Sequence, residues 1–320
     1  NQPMKEVTVA IIDFDAVDQD HPELAGRIVP GCDIHEYFER PGNDINDYFE
    51  SLGSSEPIEI KSCTQADGHP NTHATATAGL ISAKKNNDSI TGVAGKYPIK
   101  IMPILVLGPS VEDRAREFAA GLRFAADNGA DIVSLSIGFK IEMSSDLEEN
   151  SRLEKIMDDA LNYLSTKGVL VVAAAGNLST LNGYFYPVNS TAPNVLGVAS
   201  INQSGRLAVK LEGEEREYQD HSNYGLHADV AAPGTAIQSI WYINDLLDLF
   251  DFINGRELLD GFNVLTKFAF GTQGTSFATP YVAGIAALTL SRFPELTTAQ
   301  LKEAIIKGAR VTPELKTKVT

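Results

Sequence analysis

The chain has 320 residues, 43% hydrophobic and 21% charged, which is enough to bury a sizeable core and too apolar for a disordered chain. A formal net charge of −16 and a pI near 4.8 speak against a nucleic-acid binder, which needs basic surface to release counterions. No window approaches the roughly 20 apolar residues of a membrane span, and two cysteines, Cys32 and Cys63, are too few for a disulfide scaffold or a zinc cluster.

The first residues, "NQPMKEVTV", lack the basic start and apolar middle of a signal peptide, and the chain does not open on Met, so the compartment stays open. "VAIID" (9–13) reads as a buried strand, and Asp13, Asp15, Asp18 and Asp20 follow closely. Three readings of that acidic stretch compete: a D-x-D phosphatase nucleophile, a loop of hard oxygens for a cation, or a solvated turn. The phosphatase reading also needs a downstream lysine and acidic pair, which the chain does not offer. Residues 31–69 are acidic, aromatic and Gly/Pro-punctuated, without a clear period. Cys32 and Cys63 both lie there, either paired or as two free thiols.

"NTHATATAGLISA" places His73 before a small-residue helix, with room around it left by Ala74, Ala76 and Gly79. "IKIMPILVL" (99–107) is the next strand. Asp113 then caps a helix whose apolar stripe is Ala115, Phe118, Ala119, Leu122 and Ala126, closed by Asn128-Gly129. "ADIVSLSIG" (130–138) is a buried strand. Leu153, Ile156, Met157, Ala160, Leu161 and Leu164 line a second helix that Gly168 stops. "VLVVAAAGN" (169–177) follows; it has no polar alternation and should be buried on both faces, as parallel strands are. The alternation of strand and helix predicts an α/β fold with ligands beyond the carboxyl ends of the strands, where Asp13, Gly138 and Asn177 fall. Residues 241–267 contain "WYINDLLDLFDFING", an amphipathic helical run. No linker or repeat divides the chain, so residues 1–320 are expected to form one domain with insertions at about 31–69 and 241–267.

"GTQGTSFATPYVAGIAALTLSRFP" (271–294) predicts a buried helix from Phe277 onward, with Ser276 at its start and Pro280 tolerated near its first turn. A serine in that place is either an N-cap or a nucleophile, and a nucleophilic hydroxyl needs a base oriented by a third group.

Taken together these segments resemble the subtilisin-like serine protease family, the subtilases, from about residue 7 to about residue 308. "VAIID" is similar to the family's aspartate strand, "HATATAGLI" to its histidine motif, "AAAGN" to its oxyanion asparagine motif and "GTSFATPYVAG" to its serine motif. The chain order Asp13, His73, Ser276 is the subtilisin order. "NNDSITGVAG", "SLSIG" and "SNYGLHADVAAPG" agree with the family's supporting segments. The resemblance implies a doubly wound, mostly parallel sheet with helices on both faces. It implies a catalytic set of Ser276 as nucleophile, His73 as general base and acid, Asp13 orienting His73, and Asn177 in the oxyanion hole. It also implies that Ser136, Ile137 and Gly138 pair with an extended peptide, and that Ala174, Ala175 and Gly176 wall the P1 pocket. No cofactor is required, although Glu23 and Asn86 match positions where family members hold a structural calcium. The implied partners are a peptide or protein substrate and an inhibitory propeptide not visible in this chain. Family members are often secreted and some are cytoplasmic.

The chain departs from the family in three places. Phe14 and Asp15 stand where a small residue and glycine usually follow the aspartate, Ala74 and Ala76 replace a glycine and a second histidine, and the two insertions are long. Hydrolysis by an endopeptidase is the expected activity. A peptide-maturation protease or transpeptidase, and a catalytically weak binding protein, are the alternatives. A P1 pocket walled by small residues on an acidic protein is compatible with apolar or basic side chains.

Overall fold

The computed structural model describes residues 4–52, 58–60, 63, 72–86, 90–139, 147–181, 185–208, 222–240, 269–316 and 319. The run expected to be helical at 241–267 lies outside these residues, as do 53–57, 61–62 and 64–71. Strands β1 (Val7–Asp13), β2 (Cys32–Asp33), β3 (Ile99–Leu105), β4 (Ile132–Leu135), β5 (Leu170–Ala174), β6 (Val195–Ile201) and β7 (Val230–Pro233) form one seven-stranded sheet. Its order is β2-β3-β1-β4-β5-β6-β7, and every neighbouring pair is parallel. Strands β8 (Ile237–Ser239) and β9 (Ala269–Thr272) pair antiparallel beside it.

Successive side chains of a strand point to opposite faces, and here both faces are covered. Ala10, Ile12, Val133, Leu135, Val171 and Ala173 pack with helices α4 (Val111–Asp127) and α5 (Leu147–Thr166). Val9, Ile11, Ile132, Leu170, Val172 and Val198 pack on the other side with α3 (Thr72–Ser82) and α6 (Thr275–Arg292). That is why "VLVVAAA" carries no polar alternation: β5 is buried at every position. Two shorter helices, α1 (Ile34–Glu39) and α2 (Ile45–Ser51), follow β2, and α7 (Thr298–Gly308) follows α6. The doubly wound α/β architecture is as the sequence implied.

Chain order runs outward from β1 in both directions, toward β3 and β2 on one side and toward β4 on the other. The loops after β1 and β4 therefore diverge and leave a crevice at their carboxyl ends. Two helices with few large side chains floor it. In α3, Ala74, Ala76 and Ala78 are fully buried, and a Cβ on Gly79 would sit 2.4 Å from Ile240 Cγ1. In α6, a Cβ on Gly284 would come within 2.8 Å of the Val93 side chain. Gly in mid-helix costs roughly 1 kcal/mol against Ala. Close packing offsets that, because each fully buried aliphatic side chain brings roughly 1.5–3 kcal/mol.

Three sequence expectations shift. Helix α4 is capped by Ser110, whose hydroxyl accepts from Asp113 N–H at 3.0 Å, so Asp113 lies inside the first turn and is not the cap. Asp113 there accepts from the Ser110 hydroxyl at 2.6 Å. Helix α6 begins at Thr275, two residues before Phe277, and its cap is Gly274 at φ 126°, a backbone conformation that suits glycine. The acidic segment after residue 31 is not irregular throughout. Cys32–Asp33 add an edge strand in register with Ile104–Leu105, and Asp33 and Asp44 cap α1 and α2 through Glu36 N–H and Asn46 N–H.

Candidate active site

Strand β1 ends on Asp13, held between β3 and β4, which brings a carboxylate to the crevice while its side chain stays buried at 1% exposure. Asp13 Oδ1 accepts from Phe14 N–H at 2.8 Å, and Oδ2 lies 2.8 Å from His73 Nδ1. The carboxylate can only accept, so the imidazole proton sits on Nδ1 and Nε2 is the basic nitrogen. His73 occupies the first turn of α3, and its ring stands edge-on to Phe277 of α6, centroids 5.5 Å apart. Burial pulls the His73 pKa down. The charge and hydrogen bond of Asp13, with the charge of Asp15, overcome it, and the net shift is upward.

Ser276 is the second residue of α6, at the positive end of the helix dipole. The proline four residues on, Pro280, has no N–H for the Ser276 carbonyl. Ser136, just after β4, fills that vacancy by donating its hydroxyl to Ser276 O at 2.7 Å. A residue expected only to pair with substrate therefore also fixes the backbone of the candidate nucleophile.

Asn177 follows β5. Its Oδ1 accepts from Thr275 N–H at 2.8 Å and from the Thr275 hydroxyl at 2.9 Å, which orients the amide with Nδ2 away from Thr275. The same hydroxyl accepts from Gly176 N–H at 3.2 Å. Asn223 braces the loop from behind: Oδ1 accepts from Leu178 N–H and Thr180 N–H, and Nδ2 donates to Ala175 O at 2.8 Å.

One cleft of about 410 Å³ collects Asp13, His73, Ser276 and Asn177 together with Ser136, Ile137, Gly138, Ala174 and Gly176. Ala175 is not among its lining residues; that alanine is buried at 3% exposure. Gly138 is required by space, since a Cβ would lie 2.3 Å from Tyr186 O and 2.4 Å from the Phe185 ring. Gly176, at φ +93°, would put a Cβ 2.6 Å from Asn223 Nδ2. The sequence reading missed Thr275, Asn223 and Phe185. The threonine sits inside the serine motif, where its hydroxyl beside the candidate nucleophile was the available signal, and Asn223 sits inside "SNYGLHADVAAPG", whereas Phe185 carries none.

Glu23 and Asn86 do meet, as a hydrogen-bonded pair. The Asn86 amine donates to both carboxylate oxygens of the buried Glu23 at 3.1 Å each. The adjoining pocket presents Glu6 together with Arg27, Lys84, Lys85 and Lys100. Arg27 already donates to the carbonyls of Gly95, Tyr97 and Ile99. Calcium takes six to eight oxygens, and the side chains of Glu23 and Asn86 supply three, so these two residues do not by themselves complete a calcium site. Among the described residues, the group of three His, Asp or Glu side chains within reach of one ion is Asp13, Asp15 and His73.

The model of the subtilase family matches residues 4–319. Over 285 residues, 89% of this chain, it is 31% identical to thermitase from Thermoactinomyces vulgaris, covering 75% of that protein. It is 30% identical over the same length to a thermophilic serine proteinase from Bacillus sp. (strain AK1), but spans only 52% of it, about half the length of that relative. The crystal structure of a cold adapted subtilisin-like serine proteinase superposes with a TM-score of 0.64 at 25% identity, over 98% of this chain and 87% of the other.

Proposed function

The chain belongs to the subtilase family, and from that premise we propose that it is a serine endopeptidase working through an acyl-enzyme on Ser276. His73 Nε2 takes the Ser276 proton as the hydroxyl attacks a peptide carbonyl, then returns it to the leaving amine. Asp13 keeps the Nδ1 proton in place and stabilises the imidazolium that forms. Asn177 Nδ2 and the Ser276 backbone N–H, at the start of α6, bind the tetrahedral oxyanion. A water then repeats the sequence on the acyl-enzyme. The peptide extends along Ser136, Ile137 and Gly138, with its P1 side chain toward Ala174 and Gly176.

The observation that carries this reading is the 2.8 Å Asp13–His73 contact at a cleft that Ser276 and Asn177 also line. The test is labelling with a fluorophosphonate, which forms a bond only with an activated serine. Wild type should label and Ser276→Ala should not; a folded wild type that stays unlabelled refutes the proposal. Asn177→Ala should label slowly and lose about 10²–10³-fold in kcat with little change in KM, the magnitude known for subtilisin itself on removal of such a donor.

A further inference from the structure

We propose that Asp15 is a specificity residue, selecting substrates with a lysine or arginine side chain beside the scissile bond, in a subsite on the His73 side of the cleft. The assignment rests on the endopeptidase reading and deepens it. Three observations support it.

First, among the described residues the charge of the cleft is gathered in the cluster of Asp13, Asp15 and His73. Among the described residues that line it there is no lysine or arginine, and Gly138, Ala174, Gly176 and Phe185, which line it too, are not ionisable. The titratable side chains among those described residues are Asp13, Asp15 and His73. Among the described lining residues, a cationic substrate side chain therefore finds its counter-charge near His73 and not beside Ala174 or Gly176.

Second, the two carboxylates differ in accessibility. Asp13 is buried, and both its oxygens are engaged, by Phe14 N–H and by His73 Nδ1. Asp15 is partly exposed and lines the cleft. A carboxylate oxygen of Asp15 lies within 4.8 Å of ligand atoms of both Asp13 and His73. A carboxylate so close to the catalytic histidine is within reach of whatever residue the enzyme holds against that histidine.

Third, electrostatics at this distance is strong enough to matter. The charge of Asp15 contributes to raising the His73 pKa, so the field is felt where the substrate backbone must pass. The chain's net charge of −16 attracts cationic peptides over longer range. A partly desolvated charge pair in a cleft exceeds a fully exposed one, and discrimination of roughly five- to tenfold between a cationic and a neutral side chain is expected.

The experiment uses the whole chain and a peptide series of constant sequence. Each position flanking the scissile bond is varied in turn among lysine, its neutral isostere norleucine, and glutamate. In wild type, kcat/KM should favour lysine over norleucine about five- to tenfold at one position next to the bond, and disfavour glutamate there. The lysine-to-norleucine ratio should approach one in Asp15→Asn and invert toward glutamate in Asp15→Lys. Ratios taken within each variant cancel any change in overall activity. Should neither variant fold, the wild type still decides the matter. Raising salt from about 0.05 to about 1 M must shrink the preference, because the charges are screened over a few ångströms there. The assignment is overturned by a wild type that cleaves neutral peptides without preferring lysine at any flanking position. It is equally overturned by a lysine preference that survives Asp15→Asn or high salt undiminished. Failure of the endopeptidase reading looks different: no fluorophosphonate labelling and no cleavage of any peptide, which takes this assignment down with it.

Discussion

His73 balances burial, which favours the neutral ring, against two carboxylates that favour the charged one, and the carboxylates win. General-base catalysis needs the neutral imidazole, so a raised pKa moves the acidic limb of the kcat/KM profile above the ordinary histidine value of about 6.5. Asp15→Asn removes one of the raising charges and leaves the Asp13 hydrogen bond. The limb should then move to lower pH, and the variant should retain activity in acid where the wild type has lost it. A pH profile on an uncharged peptide measures this, and a limb that stays put would show that Asp15 does not act on His73. At this scale much was legible in sequence, for a definite reason. Asp13 ends a largely apolar buried strand, and His73, Asn177 and Ser276 sit beside small residues that the packing demands, as the buried Ala74 and Ala76 and the steric limits at Gly176 show. What stayed hidden were relations between distant residues, such as Ser136 replacing the donor that Pro280 lacks, 140 residues from Ser276.

Among the elements, α4 holds the least expected residue, Glu117, charged yet only 4% exposed. The apolar stripe of α4 located that helix, but could not say why a glutamate faces inward. Its Oε2 accepts from Leu107 N–H at 2.8 Å and Gly108 N–H at 2.9 Å, holding the turn between β3 and α4, while Oε1 meets His35 Nδ1 of α1 at 2.7 Å. Glu117→Ala leaves two backbone donors without that acceptor and should cost about 2–4 kcal/mol in denaturant unfolding. The His35 link adds a pH signature. Burial lowers the His35 pKa, but the hydrogen bond and charge of Glu117, with Glu39 and Asp33, raise it further than burial lowers it. A raised folded-state value means the stabilisation is complete below about pH 6.5 and is lost as pH rises through the folded value. His35→Gln should flatten that part of the stability curve. A wild type whose stability is flat from pH 6 to 8, or a variant that keeps the slope, would detach α1 from this role.

For the molecule as a whole, the question is what joins the acidic segment after residue 31 to the seven-stranded sheet. Cys32 and Cys63 are disulfide-bonded, with Cα atoms 5.2 Å apart, a choice that composition alone left open because it depends on where the chain returns. Cys32 belongs to β2, in register with Ile104, and the next residue, Asp33, is level with Leu105, itself level with Asp13. The cross-link therefore clamps the segment to the end of the sheet that carries the cleft. Its effect on stability acts largely through the unfolded chain. Closing a sequence separation of 31 residues removes conformational freedom worth about 3–4 kcal/mol. The double variant Cys32→Ser/Cys63→Ser should unfold at lower temperature by several degrees, and reductant should lower the wild-type midpoint toward that of the variant while leaving the variant's own midpoint unchanged. The elements β1, α3 and α6, which carry Asp13, His73 and Ser276, pack directly against one another, so fluorophosphonate labelling should survive reduction at 25 °C. Thiol titration of unreduced, unfolded protein should find close to no free thiol. Two titratable thiols, or a midpoint indifferent to reductant, would show the segment to be held by packing alone.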